Sequence, residues 1–533
     1  MITRRRFMEA LAAAGASGCT PAGVPPLPAE HSSAAIPPLG ANAATGLEAV
    51  LRRALEEAKR AGASYADARI HRRRNERLNA REDHLVGVSS TESYGIGVRV
   101  IAEGAWGFSS SSSVTLEDAA DAARRAVELA KHNAGPRQRA LTLEKAVAHR
   151  DEWKTQMDVD PFAVSLEDKA RLSLSFWPEV KGVPHIAFCS AWCESIDEWK
   201  LLATSDGALL DQRIVRVGAG YELTAKNDKN GDYVTRLVSV PNMQAGWEHV
   251  TRGKLTEGAR KAAEETVEKL KAPRPRTGKR TVLLAPDHLW LTIHETIGHS
   301  TELDRALGYE ANLAGTSFAT PDKIGQLRYA KDDITFYADR TTRGGLATAG
   351  YDDDGVKTER WDLVRNGVLV AFQTTRDQAA WVKGQKGHAC SYAQDHRSVP
   401  FQRMPNISLA PGKQEKSLQD LIADTDDGVL ILGNGSWSID QQRYNFQFGG
   451  QMFYEIKKGK IAHALRDVAY QSNTLEFWNQ CDAIGGPASW ELHGTLYDGK
   501  GEPGQSNPVS HGCPPARFRD VNVLDTGSKK GRG

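Results

Sequence analysis

The 533-residue chain has almost no charge excess of either sign: 68 Lys and Arg face 67 Asp and Glu, a formal net charge of +1. Such a balance gives no electrostatic footprint for nucleic acid or an anionic membrane surface. Long uncharged apolar runs are also missing, so no internal segment reads as the stretch of about 18 or more apolar residues that spans a bilayer. Cysteine is sparse, with six residues and no CxxC pair, which signals neither a disulfide framework nor a cysteine-built zinc site. No repeat of fixed period is visible. Local basic runs such as Arg72-Arg73-Arg74 read as solvated faces. At 40% hydrophobic and 25% charged residues the composition is that of a globular protein, and the length exceeds the roughly 250–300 residues at which a single core stops growing.

The N-terminus departs from this pattern. Thr3-Arg4-Arg5-Arg6-Phe7 precedes a short Ala/Gly stretch: a basic region, a weakly apolar region and small residues make an export signal. The arginine run before Phe7 is of the twin-arginine type, an address read by a receptor. Ala16-Ser17-Gly18-Cys19 has the form of a degenerate lipoprotein cleavage box that would acylate Cys19. The expectation is an exported protein, periplasmic or at the cell surface, with residues 1–45 as signal and Pro/Ala-rich linker.

Beyond the linker, apolar Leu47, Val50, Leu51 and Leu55 share one face of a helix over Gly46–Ala61. Tyr65–Arg72 alternates as a half-buried strand does, and Tyr94–Ile101 with Gly104–Phe108 reads as a hairpin. Helices are predicted from Leu116 to about Lys131, near Leu166–Leu174 and over Leu255–Lys271, with strands near Ile186–Cys193, Leu201–Thr204 and Val215–Leu223. The Pro-rich, charged stretch Ala272–Gly278 marks a boundary between an N-terminal α+β domain (46–272) and a C-terminal domain (281–526). The latter opens with a buried strand, Thr281–Ala285, and a helix that Asp287 or a neighbour would cap. Gly-bounded β segments such as Asn366–Val370 and Gly428–Gly433 dominate the remainder. The fold class expected is therefore α+β: a small sheet with helices, then a β-rich domain carrying the helix with His294-Glu295-Thr296-Ile297-Gly298-His299.

That segment carries the chemistry. Zinc hydrolysis needs a few neutral or anionic ligands, an open coordination position and a carboxylate to take a proton from water. His294 and His299 are candidate ligands and Glu295 the candidate base. The familiar helical motif sets its histidines at i and i+4; here they are at i and i+5, about 140° apart on a regular α-helix. Such a pair cannot chelate one ion unless the helix widens locally into a π turn, a distortion that Gly298 makes easier. Glu302 and Asp304 follow closely, as supporting acids might be arranged.

The chain resembles the TldD half of the TldD/PmbA (TldE) metalloprotease family. The family pattern HExxxHGxExD stands here as HETIGHSTELD, with Ser300 at the glycine. Asp304–Glu310, Gly315–Phe318, Gly350–Gly355, Trp437–Asp440, Arg443–Phe446 and Asn507–Pro515 also match, so the resemblance spans about Gly46 to Leu524. It implies peptide hydrolysis by water activated at zinc, and assembly with a PmbA/TldE-like subunit or a homo-oligomer. It further implies a third zinc ligand, a cysteine just before a Gly-Lys segment; here that position is Asp498. A carboxylate is a legitimate zinc ligand, and outside the cytoplasm it resists the oxidation that threatens a thiolate. His294, His299 and Asp498 are thus the expected ligands. Cys513, fifteen positions on, is the lesser substitute, with a buried small hydrophobe as its ordinary reading.

The alternative is a metal-poor, non-catalytic subunit that binds peptide or serves assembly; a hydrolase for a non-peptide amide would use the same residues. Tyr351–Gly355 lacks the calcium-loop pattern and reads as a β-turn near the site. His388, His396, His493 and His511 are ordinarily structural, His511 being the one beside the cysteine loop.

Overall fold

The computed structural model describes residues 44–137 and 139–527, which fall within one compact unit. The arginine run, Cys19 and most of the linker lie outside the described residues. Among the described residues, no helix is long and apolar enough to cross a membrane. The architecture is the mixed α+β one expected, but its strands are longer than the sequence suggests.

The first half is built from α1 (Ala44–Arg60), β1 (Tyr65–Arg81), β2 (His84–Ala102), β3 (Ala105–Ser111), α2 (Leu116–Ala134) and β4 (Arg150–Lys154). Then come α3 (Leu166–Leu174), α4 (Phe176–Val180), β5 (Ile186–Thr204), β6 (Leu209–Lys226), β7 (Tyr233–Ser239), α5 (Trp247–Arg252) and α6 (Leu255–Lys271). One sheet runs in the order β3-β2-β1-β5-β6-β4, with β7 on β6. Helix α1 buries Val50, Leu51, Ala54 and Ala58 against it, at the spacing of one helix face. Helix α2 is capped by Thr115, which accepts the Asp118 N–H, and its buried face is alanine almost throughout. It therefore lies close on the sheet: a Cβ at Gly107 would stand 2.5 Å from the Ala130 nitrogen.

Strand β1 does not stop at Arg72, nor is it half-buried; its first seven residues are all buried. The arginines that break its apolar pattern pair across the sheet instead of facing solvent. Arg73, Arg74 and Arg77 stand opposite Glu198, Asp197 and Glu194 in register and bridge to them at 2.7, 2.6 and 2.8 Å. For the same reason the two short strands expected over 186–204 are one continuous β5. Glu198 also bonds Arg216 and, at 2.6 Å, the Tyr392 hydroxyl from the second half of the chain. The Asp352–Asp354 turn has a similar use. Its carboxylates meet Arg99 at 2.5 Å and Lys200 at 2.9 Å, so it pins the second half to the sheet. Removing one member of such a buried pair strands the others, at about 3–5 kcal/mol. Glu198→Ala is accordingly expected to lower unfolding free energy by that amount in denaturant titration; a loss below about 1 kcal/mol would show these pairs to be solvated surface bridges.

The second half continues with β8 (Gly278–Leu284), α7 (Pro286–Ile293), β9 (Phe336–Asp339), β10 (Arg360–Arg365), β11 (Val368–Leu369), β12 (Ser391–Tyr392), β13 (Phe401–Gln402) and β14 (Ile407–Leu409). It ends with β15 (Asp427–Ile439), β16 (Asn445–Lys457), β17 (Lys460–Leu465), β18 (Val468–Asn473), β19 (Cys481–Ile484), β20 (Glu491–Lys500), β21 (Gln505–Cys513) and β22 (Ala516–Asp525). The main sheet runs β15-β8-β22-β18-β16-β17, and an added β15–β16 pairing closes five of these strands into a ring. Phe446, Phe448, Tyr470, Phe477, Trp478 and Phe518 pack against one another in its core. Smaller sheets, β11-β10-β9-β14 and the β20–β21 hairpin, complete this half.

Helix α7 starts at Pro286 with Ala285 at the cap position, and no side chain caps it; Asp287 sits in the first turn instead. Its polar residues anchor it: His288 bonds the Gly433 carbonyl and the Tyr470 hydroxyl, and Thr292 bonds the same hydroxyl. The helix is thereby held rigidly at the edge of the ring.

Candidate metal centre

Helix α7 runs directly into a π turn over His294–Gly298, closed by the His299 N–H on the His294 carbonyl. This i→i+5 bond brings residues five apart onto one side, and the two imidazoles stand 4.6 Å apart. Gly298 has ordinary helical angles (φ −56°), so its role is space. A Cβ there would stand 2.7 Å from the Met404 sulfur. Ser300, at the family's glycine, is satisfied by the Thr296 carbonyl and the Tyr329 hydroxyl.

The third group comes from β20. A bulge between Thr495 and Asp498 turns the end of the strand, and Asp498 Oδ1 lies 3.5 Å from His294 Nε2 and 3.7 Å from His299 Nε2. The three donor atoms all lie within 4.8 Å of one another. Bonds of about 2.0–2.2 Å to a tetrahedral zinc place ligand atoms roughly 3.4 Å apart, so these residues fit the ion with only small adjustments.

Both imidazoles are set in the tautomer that leaves Nε2 free. His511 Nδ1 faces the Ile407 carbonyl at 2.9 Å and so carries its proton there, which makes His511 Nε2 the acceptor for the His294 Nδ1–H at 2.8 Å. His299 Nδ1–H donates to Glu302 at 3.0 Å. Glu302 is held in turn by Arg305 at 2.9 Å and Lys500 at 3.1 Å; Lys500 also meets Asp304 at 2.8 Å. Such partners orient a ligand and raise its basicity. Burial holds His511 neutral, well below the usual histidine range. Burial would also raise Glu302, but Lys500 and Arg305 outweigh it and keep the carboxylate ionised.

The ligand atoms themselves are electrostatically matched. Burial pushes His299 down to about 4, against the pull of Glu302. In His294 burial is outweighed by the Asp498 carboxylate, so its imidazole holds a proton more tightly than usual. Asp498 falls below the ordinary carboxylate range because His294, His299 and Arg403 overcome its burial. Metal binding at such a set competes with protonation of His294. His511→Ala, which removes the partner of His294 Nδ1, is expected to weaken zinc binding about 10–100-fold in chelator competition; unchanged affinity would mean the relay is inert.

Glu295 follows His294 and opens on the same cleft, a cavity of about 670 Å³ that also exposes His294, His299 and Asp498. Its carboxylate meets Arg443 at 2.7 Å. Arg443 has a left-handed backbone (φ +63°), a conformation costly outside glycine. Asp440 supports the turn by accepting the Tyr444 and Asn445 N–H groups.

Cys513 does not join the group. It lies across from Glu491 at the far end of the hairpin, its thiol on the Pro286 carbonyl at 3.6 Å and held well above the usual range by burial. His388 stacks on Trp361 and bonds Glu359, His396 lies against Gly95, and His493 lines the cleft paired with Glu491. Sequence reasoning missed Arg403, Arg443, Arg305 and Lys500. Lys500 carried a signal in the alternation that puts residues 498 and 500 on one side of a strand, and Arg305 and Arg443 in the matching stretches Asp304–Glu310 and Arg443–Phe446; Arg403 carried none.

Two family models match the chain: PmbA/TldA metallopeptidase domain 1 over residues 66–130 and the PmbA/TldA metallopeptidase C-terminal domain over residues 277–525. A protein from Methanocaldococcus jannaschii named as a metalloprotease is 25% identical, over 84% of this chain and 94% of that protein. A protein from Saccharolobus solfataricus named as a zinc metalloprotease TldD homolog is 23% identical, over 81% of this chain and 90% of its own length. In fold, TldE from Thermococcus kodakarensis is similar, with a TM-score of 0.68 at 16% identity, covering 89% of this chain and all of that one. These matches support the PmbA/TldD metallopeptidase family for this chain, with the family's first domain over residues 66–130 and its C-terminal domain over residues 277–525.

Proposed function

We propose that the chain is a zinc-dependent peptide hydrolase in which His294, His299 and Asp498 hold the ion and Glu295 is the general base. The observation that carries this reading is the convergence of three buried donor atoms within 4.8 Å on the wall of a cleft that also exposes Glu295. A zinc ion held there would supply a Lewis acid and lower the pKa of water. Glu295 takes the water's proton as the peptide carbonyl is attacked and returns it to the departing amine, with Arg443 keeping its carboxylate aimed into the cleft. His511 and Glu302 hold the imidazoles in register, and the buried walls exclude bulk water from the carbonyl.

The substrate of this reading is a peptide or unfolded polypeptide threaded into the cleft. Residues 46–272 and 281–526 are its two domains, and a PmbA/TldE-like subunit or a second copy of the chain is its partner; the likeness to TldE supports such an assembly. Export through the arginine run and lipid attachment at Cys19 complete the reading. The test is cleavage of an unfolded polypeptide by purified chain, alone and with a PmbA-like partner. Activity lost to a chelator and restored by zinc is expected. Cleavage indifferent to the chelator would overturn the proposal, and a folded, metal-poor chain that binds peptide without cleaving it would favour the assembly subunit.

A further inference from the structure

A carboxylate differs from a thiolate in having two donor oxygens and a free torsion between them and the backbone. In place of a cysteine it can chelate with both oxygens, or swing away to pair with a neighbouring imidazole. Something must choose one oxygen and aim it. Arg403 is placed to do this. Its side chain is 1% exposed, and its guanidinium spans both strands of the hairpin that carries Asp498. Nη1 donates to the Gln505 carbonyl at 2.8 Å, and Nη2 donates to the Asp498 carbonyl and, at 3.2 Å, to Asp498 Oδ2. Oδ2 is thereby occupied, and Oδ1 is the oxygen that faces both imidazoles. The anchor is itself rigid: the Arg403 N–H bonds the Cys390 carbonyl, and Asn507 ties the following Met404 carbonyl to β21. The fork also grips Asp498 immediately after the bulge, where the strand's own pairing is weakest.

We propose that Arg403 is a positioning residue for the metal centre: it fixes Asp498 as a one-oxygen ligand and so lets a carboxylate serve where a thiolate would need no such support. This rests on the reading of Asp498 as a ligand. A guanidinium that only clamped the hairpin would serve any residue at 498 equally, whereas one that selects an oxygen matters only to a carboxylate.

The experiment is zinc affinity by chelator competition in wild type, Arg403→Lys, Arg403→Met, Asp498→Cys and the corresponding double variants, with visible spectra of the cobalt-loaded proteins. The Arg403 substitutions are expected to weaken zinc about 10–100-fold when Asp498 is present, and by less than about threefold in the Asp498→Cys background, the non-additivity of a direct pair. Cobalt-loaded wild type should show the intense bands of four-coordination, weakened in the Arg403 variants as the second oxygen binds. Equal losses in both backgrounds, or none in either, would overturn the proposal. Should the Arg403 variants fail to fold, a weak six-coordinate spectrum from the wild type alone would overturn it. Full zinc affinity in Asp498→Ala would instead remove the ligand reading beneath it, a separate failure.

Discussion

Glu295→Gln is expected to lower peptide hydrolysis by about 10²–10⁴-fold, the usual worth of a general base, with bound zinc unchanged. The amide keeps the shape of the carboxylate and its place beside Arg443 but cannot take a proton from water. Retention of metal follows from the geometry, since the three donors are His294, His299 and Asp498, and Glu295 pairs with Arg443 instead. The informative comparison is Arg443→Met, which leaves Glu295 chemically intact yet unaimed and should cost less than Glu295→Gln. Steady-state kinetics with metal analysis on the same samples checks both. Near-normal turnover by Glu295→Gln would remove it from the mechanism.

The second large effect is expected at Asp498. Asp498→Ala removes the donor facing both imidazoles and leaves the Arg403 guanidinium buried without its carboxylate. Zinc affinity should fall by more than the roughly 10–100-fold that a supporting partner is worth. Breaking the buried pair should also cost about 3–5 kcal/mol of stability. Wild type should melt higher when zinc is added, because a ligand that binds only the folded state stabilises it, whereas the variant should lose that response. Asp498→Cys restores a donor and should recover zinc binding in reducing buffer, then lose it on oxidation as a thiolate does.

Much of this arrangement was legible in the sequence because its signals are local. Five-residue spacing of the histidines requires a widened turn, and that turn is present over His294–Gly298. Leu255–Lys271 and Leu166–Leu174 are expected as helices, and both form over those residues. The misreadings share one physical cause, that charge reads as solvent exposure when the partner is distant in sequence. Arg73 and Arg74 look like a surface run until Glu198 and Asp197 stand opposite them, and strands β1 and β5 are cut short for that reason. Asp352–Asp354 reads as a β-turn, as it is, but its pairing with Arg99 and Lys200 leaves no local trace. Arg403 was invisible as a site residue because its partner Asp498 lies 95 positions away. Cys513 and His511 share one face of β21, yet the strand runs along helix α7, so His511 meets His294 at one end and Cys513 meets Pro286 at the other.

The central claim is that an oxygen of Asp498 completes the metal centre. The most direct measurement is zinc bound per chain in purified Asp498→Ala beside Cys513→Ala, with wild type as reference. The account predicts that Cys513→Ala retains its zinc while Asp498→Ala loses it. Full zinc occupancy in Asp498→Ala, or its loss in Cys513→Ala alone, would contradict the account.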